Sequence, residues 1–185
     1  MSITDLLLPH YRHMLTALSG WLAKAGEGAE TETLLSARLA PDMFPLSAQI
    51  RFCCMQGYEG VARLRGDDLP EIWYRLAEES RHAGDDPGTM AAAKQRLDEV
   101  LSFLAAVGPG ALDAGAERTI AIDLPNGMIF DMTGFQYVRD WAVPQFDFHV
   151  VTAYAILRGQ GVALGKADYV QHAFAYLRPG TMPQG

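Results

Sequence analysis

The stretch that most limits the fold runs from Pro144 to Gly161, P-Q-F-D-F-H-V-V-T-A-Y-A-I-L-R-G-Q-G. Its apolar residues fall on nearly every face of a helix, and a helix of that kind is enclosed by other elements. Gln145, His149, Thr152 and Ile156 share one stripe, because positions three or four apart lie on the same side. Pro144 suits a first turn, where no N–H is required, and Val143 before it is biased towards extended backbone. The expectation is therefore two helices that meet at Val143, the first starting at Thr133 or Gly134. The alternative is one helix from Gly134, kinked at Pro144 with the Asp140 carbonyl left free. Arg158, Gly159 and Gly161 supply a C-terminal cation and left-handed caps.

An imidazole on an enclosed helix must find a partner. It is either a core histidine bonded to Gln145 or to a backbone carbonyl, or a metal ligand or acid–base group whose other nitrogen is oriented by a neighbour. The spacing leaves both open.

Three further long helices read out at helical period. Ile3 to Ala25 repeats Leu7, Tyr11, Met14, Leu18, Trp21 and Leu22, with Ser2 or Thr4 as cap and Gly26 and Gly28 as its end. His10 and His13 stand three apart, either as a solvated face or near enough to share a metal. Pro45 to Leu64 carries Leu46, Gln49, Ile50, Cys53, Gly57, Gly60, Val61 and Leu64. Two glycines inside a helix each cost about 1 kcal/mol against alanine, so a neighbouring helix must approach closely there. Gln49 and Cys53 would approach His149 if this helix faces the last one, and a Cys/His pair can act as nucleophile and base. Thr89 to Val107 is the third of these helices, with Thr89 as cap and Gly108-Pro109-Gly110 as stop.

Between them, Glu30 to Leu39 predicts a short helix and A-P-D-M-F-P-L a turn. In that turn Met43 and Phe44 plug the bundle and Arg38 pairs with Asp42. Glu71 to Arg81 predicts a charged amphipathic helix. From Glu117 to Thr133 the period changes to two on either side of Asn126-Gly127, which predicts a hairpin. A lone hairpin is marginal in water, so it must lie against the bundle. A turn and brief helix follow Gly161, and His172 sits in an aromatic tail.

A chain of 185 residues with 49% hydrophobic and 20% charged residues is long enough for one cored domain. A net charge of −7 without a basic cluster argues against nucleic acid and against an anionic membrane surface. No apolar run approaches the ~18 residues that a span needs. Cys53 and Cys54 are adjacent and poorly placed to bridge each other, and M-S-I-T-D does not open like a signal peptide. Both suit a cytoplasmic, reducing setting.

His149 to Tyr169 resembles the last core helix and following turn of the DinB/YfiT-like superfamily of four-helix bundles. Leu157-Arg158-Gly159-Gln160-Gly161 looks like that family's leucine–arginine–x–x–glycine ending. R-L-A-P-D-M-F-P-L (Arg38 to Leu46) with F-H-V-V-T-A-Y-A-I-L-R is similar to a domain-of-unknown-function branch of it. The resemblance implies an all-α, up-and-down bundle with one β-hairpin insert near 117–133. It also implies a divalent metal (zinc, nickel or manganese) on three histidines, two of them one turn apart on the last helix. Counting back from the ending puts His149 on the second of these positions and Gln145 on the first. Gln145 is a poor ligand beside a histidine, and the second long helix offers no histidine for the remaining position.

The resulting expectation is a single domain over 1–177 with a flexible tail over 178–185. Its candidate pocket holds His149, Gln145, Gln49, Cys53 and Tyr11, with His149 the metal-ligand candidate. Two functions fit: a small-molecule-binding or structural homodimer with a degenerate metal site, or a metal-dependent thiol transferase or hydrolase acting on a small molecule.

Overall fold

The computed structural model describes residues 2–26 and 29–181. Gly28, expected to help end the first helix, lies outside them, as do residues 182–185 of the expected tail.

Helix α1 spans Ile3–Ala25. Ser2 starts it, with its hydroxyl accepting the Asp5 N–H while the Asp5 carboxylate accepts the Ser2 N–H. Thr4, the other candidate cap, is instead buried. Its hydroxyl donates to Asp113 at 2.6 Å and accepts from the Leu112 N–H at 3.0 Å, which ties the start of α1 to the turn before the hairpin.

The next helix is shorter than predicted. Helix α2 covers only Ala29–Thr33, followed by a 3-10 turn at Leu34–Ser36. Ala37 then turns extended, and its carbonyl accepts the Leu46 N–H at 2.9 Å, closing the proline-punctuated loop. Two expectations for that loop are corrected. Arg38 donates to the Met43 carbonyl rather than pairing with Asp42. Phe44 is not a plug: it is 46% exposed and rests edge-on against Phe52.

Helix α3 (Leu46–Arg65) ends on Gly66 in the left-handed region. Helix α4 is Glu71–Arg81, as predicted, and α5 is Met90–Ala105, capped by the Thr89 side chain on the Ala92 N–H. Strands β1 (Thr119–Asp123) and β2 (Ile129–Thr133) pair antiparallel with Ile120 opposite Met132 and Ile122 opposite Phe130. Ile120 and Ile122 are buried, so the hairpin is docked rather than free.

A reciprocal Thr133–Gln136 cap opens α6 (Gly134–Gln136). A π-helical stretch, Tyr137–Ala142, continues it directly into α7 (Val143–Gly159). The predicted break at Val143 is therefore absent. Val143 is helical at φ −66°, ψ −49° despite the proline after it. Its N–H reaches the Val138 carbonyl, five residues back, and this wide turn lets the helix pass the donor that Pro144 lacks.

Helices α1, α3, α5 and α7 form the bundle. α1 and α3 each pack against both α5 and α7, and α4 lies along the outside of α3. The two helical glycines close α3 onto its neighbours, Gly57 onto α5 and Gly60 onto α1. A Cβ on Gly57 would stand 2.7 Å from Val100 Cγ2, and one on Gly60 would stand 3.0 Å from the Tyr11 ring. Bare backbone at these positions lets the bundle close to contact distance, which offsets the helix propensity lost. Cys53 and Cys54 are free and buried. No helix among the described residues is long and apolar enough to cross a membrane.

Candidate functional site

The site begins with a hydrogen-bond relay between α3 and α7. The Gln49 amide nitrogen donates to the Phe44 carbonyl at 3.2 Å, so its oxygen points the other way. That oxygen lies 2.8 Å from His149 Nδ1. An amide oxygen only accepts, so Nδ1 carries the proton and Nε2 is left as a lone pair. Burial pushes the His149 pKa down to about 4, which keeps the ring neutral at physiological pH.

Aromatic rings frame that imidazole. Phe52 lies 4.7 Å away at a tilt of 31°, and Phe148 meets it edge-on at 5.4 Å. Phe44 extends the run through Phe52. The helix carrying His149 is not fully enclosed, contrary to the expectation from its composition: Phe148 is 56% and Val151 48% exposed. Periodicity had no way to separate an outward apolar face from an inward one.

Of the five residues expected to share a pocket, Gln49 and His149 meet. Gln145 is half-buried one turn before His149, and among the described residues no hydrogen bond joins the two. Gln49 takes the part assigned to it. Cys53 is fully buried, and burial drives its thiol pKa well above the ordinary value. It stays protonated and makes no hydrogen bond to His149 among the described residues, so the nucleophile-and-base reading finds no support. Tyr11 is packed in the core, 4.4 Å from the Phe146 ring, with its hydroxyl unpartnered.

Sequence reasoning missed one pairing. His10 Nε2 lies 2.7 Å from the Asp147 carboxylate, joining α1 to α7. Asp147 stands two residues before His149, so the two face opposite sides of α7. The signal was a lone acid in an otherwise apolar helical run. His13 does not share this site. It stacks on His172 instead, with ring centres 4.7 Å apart and planes 9° from parallel. The pair weighed as a joint metal site is thus divided between two contacts.

A divalent metal fits these residues poorly. Among the described residues no group of three His, Cys, Asp or Glu side chains is placed to hold one. His149 offers a single nitrogen, the Gln49 oxygen is already engaged, and the Cys53 thiol stays protonated.

No curated protein matches the chain. Among solved structures, it is similar to a DinB family member protein from Shewanella denitrificans at 33% identity, with a TM-score of 0.72 over 98% of this chain and 96% of that one. Residues 3–170 match the family described as Domain of unknown function (DUF1993). With its helical bundle, hairpin insert and two sequence motifs, the chain belongs to the DUF1993 family and is DinB-like.

Proposed function

We propose that this is a small-molecule-binding bundle whose ligand places a hydroxyl or N–H on His149 Nε2 and its apolar body against Phe44, Phe52 and Phe148. The observation that carries this reading is the relay from the Phe44 carbonyl through Gln49 to Nδ1, which leaves Nε2 as a fixed acceptor. A neutral, oriented imidazole beside half-open aromatic rings suits a flat or apolar molecule with one donor group. The poor fit to a metal argues against the thiol transferase or hydrolase alternative. Phenol and indole serve as probes. Either should shift the His149 ring resonances in NMR titrations, and the shift should be lost in His149→Phe. No perturbation by either probe would remove the proposal.

A second reading rests on the exposed face of α7. Phe148 and Val151 share one side, and Phe44 stands near through the Phe52–His149 contacts. An apolar face of this kind suits a homodimer contact. Sedimentation should then show a dimer that Phe148→Ser converts to monomer, and a monomeric wild type would end this reading.

A further inference from the structure

A histidine pair, apart from the His149 relay, joins α1 to the last 3-10 turn of the described residues. His13 lies on α1 and His172 on the 3-10 turn Gln171–Tyr176, with their rings stacked 4.7 Å apart. Beside them is a cleft of about 350 Å³ lined by His13, Thr16, Ala17, Gln171, His172 and Ala175. We propose that these two imidazoles form a proton-operated clasp, which holds the Gln171–Tyr176 turn on α1 near neutral pH and releases it under mild acid.

Two stacked neutral rings attract, and so do one neutral and one charged ring. Two imidazolium rings in that stack repel. The groups acting on His13 give no relief. His172 faces it, and His10 and Arg12 flank it on its own helix; all are bases. No carboxylate is among the groups that shift His13; Asp147 is bonded to His10 at 2.7 Å, and Asp168, four residues before His172, to Lys24 at 2.5 Å. His172 Nδ1 is buried without a hydrogen-bond partner. Partial burial and the neighbouring bases lower the His13 pKa. The docked state thus binds fewer protons than the released one. Its advantage is full above about pH 6.5, the unperturbed imidazole value, and falls as pH drops below it.

Little else holds the turn. Beyond His172, Phe174 is 47%, Tyr176 84% and Leu177 40% exposed. The anchor before it is firm. Helix α8 (Lys166–Tyr169) is held by the Lys24–Asp168 pair, by the Trp21 indole N–H on the Asp168 carbonyl, and by Tyr169 stacked on Trp21. Release therefore hinges after Tyr169 and opens the cleft on α1 without disturbing the bundle.

Hydrogen exchange read by mass spectrometry, corrected for intrinsic rates, tests the clasp between about pH 7.5 and about pH 5.5. Protection of residues 171–177 should fall severalfold in acid, while amides of α3 and α5 hold theirs. His172→Phe keeps a stacking ring without a charge, and His13→Phe is its reciprocal. In both, the acid loss should shrink, because the repulsion between two charged rings is gone while the burial and the neighbouring bases that act on His13 remain in His172→Phe. Unchanged wild-type protection overturns the proposal, as does an acid loss of undiminished size in both variants.

Discussion

Two parts of α3 meet the rest of the bundle in opposite ways. At Gly57 and Gly60 the helix has no side chain, and Val100 and Tyr11 lie against its backbone. Two turns earlier, at Gln49, it presents an amide that fixes a half-buried imidazole beside exposed aromatic rings. The first region is close-packed and has no room for change. The second is open, polar and oriented. One helix thus carries most of the packing constraint at one end and most of the chemical character at the other, and substitutions should separate the two.

The largest effect belongs to the glycine seam. Gly57→Val inserts a branched side chain where Val100 already stands, so overpacking should cost about 3 kcal/mol or more in denaturant unfolding. A loss no larger than that of an exposed-site control would mean that α1, α3 and α5 do not close as tightly as described.

Acid should act next, and at the other end. The folded His149 pKa of about 4 lies below its unfolded value, so the unfolded chain binds the extra proton. The stabilisation is therefore present above about pH 6.5 and lost as pH falls towards 4. Allowing for the ring's partial solvation, the loss is about 2 kcal/mol. Comparison with His149→Phe isolates it, because that variant should lack this part of the pH dependence.

Gln49→Leu should cost about 1.5 kcal/mol, since it leaves the His149 Nδ1–H without its acceptor. Adding His149→Phe should recover most of this. A double-mutant cycle with no coupling would break the relay argument. Phe148→Ser should be the mildest, within about 0.5 kcal/mol, because the ring is already mostly in water. Any larger role for Phe148 should appear in association or probe binding, not in melting.

The seam was legible in the sequence and the relay only partly so. Two glycines on the inward stripe of a helix have a local cost that only close approach explains, so Gly57 and Gly60 announced their contact. The Asn126-Gly127 turn with period-two flanks announced the hairpin in the same way. Gln49 was named as a neighbour of His149 only if the two helices faced each other. Gln145, one turn away in sequence, looked the nearer partner. The bond that forms spans 100 residues, and tertiary placement alone decides it. The same holds for His10 with Asp147. Arg38 failed to pair with Asp42 because a backbone carbonyl in its own loop was closer to hand. The continuity at Pro144 was hidden because a proline's local bias says nothing of a wide turn just ahead of it.

That wide turn at Tyr137–Ala142 has an evolutionary corollary. A π turn amounts to one residue inserted into a helix. Deleting a single residue there would restore ordinary winding and set the Pro144 ring against the carbonyl four residues before it. The extra residue and the proline therefore belong together: removing the one should be tolerated only when the other is replaced, and α7 keeps its facing in either case.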